Sequence, residues 1–246
     1  MSKGMLSFWS ADHFRISLFS NESWSINSDR IFFEITSSEP NSISERKSVG
    51  ESISTGAWDS LTLEVKRSLN RVDFLIRPVP DPQQDSPVAV ILDIEARFNK
   101  FLPLVKRWML NQSVAVNRIA IGCGALLPAT DVEDSYKKLK QFIKVIDIDA
   151  SRFREMQFQV NLPIPSKSES PMVLNRITSW ASIGFQSGTI GNIVDQGPAI
   201  ASHFAVCNID VSSDAARKIP ISTSVLESLL SEVSSEVLGI LDQGIS

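Results

Sequence analysis

Leu61, Leu63 and Val65 alternate with Thr62, Glu64 and Lys66, and after a break at Ser68-Leu69-Asn70 the same period returns in Val72, Phe74 and Ile76. Side chains at i and i+2 of a strand share one face, so both runs read as strands with one apolar and one polar side. Pro78 and Pro80 end the second run, because proline cannot continue a central ladder. The pair is an antiparallel hairpin, and it commits the chain to a sheet.

The neighbouring segments extend the pattern. Ile31, Phe33 and Ile35 alternate with Phe32 and Glu34, which predicts a strand, and the polar stretch from Ser37 to Thr55 reads as a long loop. Val88–Ile94 is a nearly continuous apolar run, the composition of a buried strand. Phe98, Phe101, Leu102, Val105, Trp108 and Met109 recur at helical spacing, with Pro103 at the first turn or at a kink. A long strand follows from Val114 to Leu127. Thr130 with Glu133 forms a capping box for a helix whose apolar face is Val132, Tyr136, Leu139, Ile143 and Ile146. Strands are expected at Met156–Leu162, Val173–Trp180 and Phe204–Val211, with loops at Pro163–Pro171 and an irregular, glycine-rich excursion at Ser182–Pro198. Ser224 with Glu227 caps a last amphipathic helix to about Leu241, and Gly244 lies beyond it.

The expected class is α+β: a largely antiparallel or mixed sheet with about three amphipathic helices. Residues 1–80 form a β-rich N-terminal part that is not expected to stand alone, and 81–246 an α+β part. Within the latter, Val116-Asn117-Arg118-Ile119 recurs as Leu174-Asn175-Arg176-Ile177, a weak internal echo.

Composition narrows the function. With 246 residues and a formal charge of −4, the chain can bury a full core but lacks the strongly basic balance of a nucleic-acid domain. Residues 1–70 carry a net −2, 71–161 a net +2 and 162–246 a net −4, which suits complementary surfaces. No apolar run is long enough to span a bilayer and no secretory signal is present, so a cytoplasmic location with no membrane contact is expected. Cys123 and Cys207 form no motif; each sits in an apolar strand segment, where cysteine acts as a small, buried hydrophobe.

Catalytic patterns are sparse. His13 and His203 are the only histidines, and no Gly-x-Ser-x-Gly elbow accompanies them. The Gly122-Cys123-Gly124 turn imitates a dinucleotide fingerprint but loses its third glycine to Leu127, and Pro128 interrupts the helix start. Gly184, Gly188 and Gly191 lack a P-loop ending. Asp93 with Glu95, and Asp147 with Asp149, could share a strand face and hold magnesium. Glu64-Val65-Lys66 has the Glu-x-Lys form of some metal-dependent nucleases, which makes Glu64, Lys66, Asp93 and Glu95 the alternative catalytic set. Lys137, Lys138, Lys140 and Lys144, with Lys106 and Arg107 on another helix, are the alternative nucleic-acid surface. The acidic start of that helix, Asp131, Glu133 and Asp134, favours a helix-dipole role instead. No cofactor and no metal is called for.

Three stretches together resemble a known family: VNRIAIGCGALLP followed by SYKKL; MQFQVNLPIP followed by LNRITSW; and FAVCNIDVS followed by LESLLSEVSSEV. They resemble a sporadically distributed family of uncharacterised bacterial proteins, over Val116 to Leu241. The resemblance implies a bacterial, cytoplasmic origin and a patchy, defence-like distribution, and it carries over no catalytic residues.

The resulting expectation is a non-enzymatic protein-interaction subunit, with a protein partner or a second copy of the chain as its ligand. Its expected contact surface is the last helix, through Val225, Leu226 and Leu238 at the apolar face and Glu232 and Glu236 at the acidic rim. A metal-dependent nuclease and a nucleic-acid-binding module are the alternatives.

Overall fold

The computed structural model describes residues 5–80, 88–187 and 200–246. Its strands are β1 (Ser10–Ser20), β2 (Ser42–Arg46), β3 (Glu51–Trp58), β4 (Leu61–Ser68), β5 (Arg71–Pro78), β6 (Val116–Ala129), β7 (Gln157–Asn161), β8 (Ile164–Pro165), β9 (Val173–Ser187) and β10 (Ile200–Ser213). The helices are α1 (Ser28–Thr36), α2 (Ile94–Leu110), α3 (Val132–Phe142) and α4 (Thr223–Gln243). All the strands belong to one sheet in the order β2-β3-β4-β5-β1-β6-β10-β9-β7, with β8 paired to β9. Every pairing is antiparallel. The architecture is the expected α+β one, with an additional helix, α1.

The chain passes twice through the same order. β1, α1, β2 to β5 and α2 are followed by β6, α3, β7 to β10 and α4. The first strand of each pass pairs with the last strand of its own pass, and the two first strands pair with each other at the centre of the sheet. The Val116–Ile119 and Leu174–Ile177 echo lies on β6 and β9, which hold different places in the second pass.

One face of the sheet is covered by helices. Phe14, Ile16 and Leu18 of β1, Val72, Phe74 and Ile76 of β5, Ile119, Ile121 and Cys123 of β6, and Ala205, Cys207, Ile209 and Val211 of β10 all point into it. Their helical partners sit at i, i+3, i+4 and i+7 spacings: Phe98, Phe101, Val105 and Trp108 on α2, and Leu226, Leu229, Leu230, Val233 and Val237 on α4. Aromatic rings fill the first half, with Phe101 edge-on to Trp58 at 5.0 Å and Trp108 edge-on to Phe74 at 5.3 Å. Trp9, Phe142 and Trp180 do the same in the second half, at 5.0 to 6.4 Å. Pro103 lies inside α2, on its exposed side. The carbonyl of Asn99 that its missing N–H leaves free is on the exposed side too, so the helix survives there.

Several expectations are corrected. Ile31–Ile35 is helical: Ser28, Ile31, Phe32 and Ile35 are buried while Phe33 is exposed, so the i+3/i+4 spacing decides over the alternation. The Ser37–Thr55 segment contains β2 and most of β3. Val88–Ile94 is no strand. Only Ile91 makes a bridge, to Ala11, while Val88 and Val90 cover Leu126, Phe204 and Val206 on the other side of the sheet. β9 runs on to Ser187, and the remainder of the Ser182–Pro198 excursion, with Gly188 and Gly191, lies outside the described residues. The cap of α3 is one residue later than Thr130: the Asp131 carboxylate accepts from the Asp134 N–H at 2.8 Å, and the Asp134 carboxylate accepts from the Thr130 N–H at 2.9 Å. A carboxylate is among the strongest N-caps and its charge suits the helix start. In α4 the N-cap is Ser222 with no side-chain cap bond, and Glu227 instead pairs with Lys106 on α2 at 2.5 Å.

Asp131→Ala is therefore expected to lower stability by about 1 kcal/mol, the usual cost of an N-cap. Thr130→Ala, which keeps its backbone donor, should stay within about 0.5 kcal/mol of wild type. Urea denaturation midpoints of the two variants check this; equal losses would return the cap to Thr130.

Candidate functional site

The period of the strands that fill the core leaves the alternate residues on a face without helices. There His13, Arg15, Ser17 and Phe19 of β1 stand beside Gly124, Gly122, Ala120 and Arg118 of β6. Asn208, Asp210 and Ser212 of β10 continue the same rows. Arg15, Gly122 and Asp210 are in register on three adjacent strands. Because Gly122 has no side chain, Arg15 lies across β6 and its Nη2 donates to Asp210 Oδ2 at 2.8 Å. A Cβ at Gly122 would stand 3.4 Å from that nitrogen. Both side chains are about one-third exposed (36% and 32%), so the pair orders the surface more than it stabilises the fold.

The next row is more polar. His13 Nδ1 lies 2.6 Å from Asp12 Oδ1, and the ring covers Gly124, where a Cβ would come within 2.7 Å of Cε1 and 2.0 Å of Asp12 Oδ1. Anchoring Nδ1 leaves Nε2 as the nitrogen able to meet a ligand. Beyond Gly124 the row continues as Asn208, Ser179 and Gln159. The structure gives the side chains of these three residues no hydrogen bond among the described residues. Together they line a shallow trough of about 220 Å³ that also takes in Arg15 and Asp210.

At the other end of β1, Phe19 is flanked by the guanidiniums of Arg71 and Arg118, 4.9 and 4.7 Å from its ring centre. Arg71 pairs with the buried Asp73 at 2.7 Å, and Ser17 Oγ donates to the same carboxylate at 2.5 Å. Arg118 Nη2 donates to Ser212 Oγ at 3.2 Å. On β3 and β4, Glu51 accepts from Lys66 at 2.6 Å, a hydrogen bond that holds the Glu51 carboxyl below its ordinary range. Arg15, Lys66 and Arg71 are thus matched by carboxylates, whereas Arg118 meets a hydroxyl and an aromatic ring.

The residues singled out from sequence are distributed as follows. Glu64 and Lys66 share a face of β4, but Lys66 is held by Glu51. Asp93 and Glu95 do not share a strand face, because Asp93 has a left-handed backbone (φ 52°) and Glu95 is in the first turn of α2. Among the described residues no cluster of three or more His, Cys, Asp and Glu side chains could hold a metal. Asp147 and Asp149 are likewise off any strand: Asp147 meets Lys140 at 2.8 Å and Asp149 accepts from Ser151. The lysines of α3, and Lys144 just beyond its end, are engaged with the chain itself. Lys137 pairs with Glu133, Lys138 with Asp134 and the Pro128 carbonyl, Lys140 with Asp147, and Lys144 with the Gln243 carbonyl.

The rim of α4 is also turned inward. Leu226 belongs to the buried stripe, and Val225 and Leu238 pack against the same core. Glu236 pairs with Arg176 at 3.3 Å. Glu232 accepts from Ser166 Oγ at 2.8 Å, Lys167 N at 2.6 Å and Ser168 N at 3.0 Å, fixing the loop before β9. These side chains close the chain's own core and anchor its loops.

β1, like β2 and β3, has no counterpart among the strands expected from sequence, and the trough is missing with it. Its signal was present, since Phe14, Ile16 and Leu18 alternate with His13, Arg15 and Ser17. Comparison with known proteins adds nothing to this geometry: no family model, curated protein or solved structure matches the chain.

Both cysteines are buried and unpaired, and burial pushes their thiols well above the ordinary range. Cys123 and Cys207 should resist a bulky thiol reagent in the native protein and react fully in urea; rapid native labelling of both would contradict this. A second expectation concerns acid. Burial alone would raise the Glu232 carboxyl, but the Lys167 N–H and the donors of Ser168 and Ser166 outweigh it and lower it below 4.5. The folded state therefore gains from this carboxylate above pH 4.5, and the gain disappears as pH falls through the lowered value. Glu232→Ala should cost about 2 kcal/mol at neutral pH, with the difference from wild type shrinking below pH 4 in denaturation curves.

Proposed function

We propose that the chain is a protein-interaction subunit that engages its partner through the helix-free face of the sheet rather than through α4. The observation that carries this reading is the row His13, Asn208, Ser179 and Gln159, in which an imidazole nitrogen, two amides and a hydroxyl stand on a rigid sheet face with their bonding capacity uncommitted. The sheet fixes the spacing of these residues' backbones before binding, so only side-chain ordering, about 0.5–1.5 kcal/mol for each long side chain, is set against their hydrogen bonds.

Two features favour a protein partner over nucleic acid. The pairs Arg15–Asp210, Lys66–Glu51 and Arg71–Asp73 match three cations of this face with carboxylates, while Arg118, held on Ser212 and Phe19, keeps its charge unmatched. The lysines of α3 and Lys144 after it are likewise committed to carboxylates and carbonyls of the chain. A phosphate backbone needs several uncommitted cations. A mixed-sign face with amide and hydroxyl groups instead suits the polar rim and core of a protein interface. No helix among the described residues is long and apolar enough to cross a membrane. The buried, unpaired cysteines and the resemblance over Val116 to Leu241 support a cytoplasmic subunit of a bacterial, defence-related complex.

Copurification from the native host with quantitative mass spectrometry tests the reading. A partner retained by wild type and by Lys137→Glu, but reduced at least about tenfold in the Asn208→Arg/Ser179→Arg double variant, is the expected result. A partner that both variants retain equally would sink the assignment of this face, and a strictly monomeric chain with no partner would sink the function. Magnesium-dependent nucleic-acid cleavage lost in Glu64→Ala would replace it with the nuclease reading.

A further inference from the structure

The second pass ends the sheet on β7, and nothing among the described residues continues it. The register of β7 on β9, with Phe158 beside Trp180 and Val160 beside Thr178, runs on unshifted into β8, where Ile164 lies beside Leu174. In that register Leu162 N donates to the Arg176 carbonyl and Ser166 N to the Met172 carbonyl. The even-numbered residues of the run therefore turn their backbone toward β9, and the N–H and C=O of Gln157, Gln159 and Asn161 turn outward. These outward groups have no partner among the described residues. Pro163, the next outward position, has no N–H and closes the run. Free edges are usually guarded by charge, by a bulge or by a covering segment. β2, at the opposite edge, carries Glu45 and Arg46. β7 (Gln-Phe-Gln-Val-Asn) has no charge and no bulge, and each of its residues is exposed or half-buried.

We propose that two copies of the chain pair through β7, antiparallel about a two-fold axis at Gln159, into one continuous sheet. The strand is its own complement. With Gln159 opposite Gln159 and Gln157 opposite Asn161, each outward N–H meets an outward C=O. A shift by one residue would set outward groups against inward-turned ones, and a shift by two would leave the end residues unpaired. The same register keeps the two faces together. Phe158 and Val160, partly buried against the core, come opposite each other as an aromatic and β-branched pair on the helix side, while the amides of Gln157, Gln159 and Asn161 meet on the open side. No charge is brought against a like charge. A two-fold pairing of this kind closes at two copies. Gln159 is also the last member of the row that holds Asn208 and Ser179, so the dimer joins two troughs end to end and the second copy's Gln159 lengthens each row. The pairing stands whether or not the trough is the surface for another protein.

Sedimentation velocity of the full chain should show a monomer–dimer equilibrium, with a Kd in the micromolar range because the ladder is short. Gln159→Arg, at an exposed position, sets two guanidiniums face to face on the axis and should raise that Kd at least about tenfold, with circular dichroism confirming the fold. Cysteines read the register. Across such a pair the Cα atoms stand about 5.5 Å apart, within reach of a disulfide, and the native cysteines are buried. Gln159→Cys should therefore oxidise to a covalent dimer, whereas Gln157→Cys, about 14 Å from its own copy, should not. Asn208→Arg, in the trough but two strands in from β7, should dimerise as wild type does, which separates failure of this edge from failure of the trough. A chain monomeric throughout the micromolar range, a dimer that Gln159→Arg leaves intact or Asn208→Arg dissolves, or cross-linking of Gln157→Cys rather than Gln159→Cys would overturn the pairing.

Discussion

The rest of the structure depends on the antiparallel ladder between β1 and β6. It joins residues about a hundred apart in sequence, from the Ser10–Leu126 pair to the Ser20–Val116 pair, and it is where the first strands of the two passes meet. β5 completes one half against β1, and β10 completes the other against β6. Opening the ladder would expose Phe14, Ile16 and Leu18 together with Ile119, Ile121 and Cys123, all at most 2% exposed. The halves are therefore one hydrophobic unit. The N-terminal part cannot be separated at residue 80 without removing one partner of β1. Pairing over such separations pays its loop-closure entropy before its contacts form, and is intrinsically slow.

That same ladder shapes the open face. A strand that sends Phe14, Ile16 and Leu18 into the core must send His13, Arg15 and Ser17 the other way. What those side chains can do is decided by their neighbours on β6, where Ala120, Gly122 and Gly124 are small. Long side chains from β1 can lie flat over them, so Arg15 reaches a residue two strands away and His13 rests on backbone. A larger residue at Gly124 would collide with Asp12 and His13 and push the imidazole off the row. The trough is thus a consequence of small residues on a central strand, with its polar groups held at fixed spacing by the sheet.

Legibility followed the range of the interaction. The β4–β5 hairpin could be read because its alternation, its break and its terminating prolines are contiguous. α2, α3 and α4 could be read because their apolar stripes are longer than any competing pattern. Ile31–Ile35 was ambiguous on five residues, and only the packing of Ser28, Ile31, Phe32 and Ile35 resolves it. Val88–Ile94 was misleading for a different reason: its apolar side chains serve as a strap over Leu126, Phe204 and Val206, a use that carries no period. The site was not legible at all. Arg15 meets Asp210 across 195 positions, and nothing local in either segment specifies the register that brings them together.

The uneven charge along the sequence has a related explanation. The cations of the middle region and the anions of the C-terminal one suggested complementary surfaces for a second molecule, but several C-terminal anions already have partners within the chain. Lys106 of the middle region meets Glu227, Arg176 and Arg217 of the C-terminal region meet Glu236 and Glu169, and Arg15 meets Asp210. Partly exposed pairs of this kind contribute little each to stability, but they remove the long-range field that would draw in an oppositely charged partner. Apart from the Arg118 guanidinium, which rests on Phe19 and Ser212, the groups free along the trough are neutral: two amides, a hydroxyl and one imidazole nitrogen. Such groups exert no steering at a distance and discriminate only at contact, because a misaligned partner leaves them desolvated and unpaired. Recognition on this face therefore rests on hydrogen-bond geometry, and the rigidity of the central ladder is what makes that geometry selective.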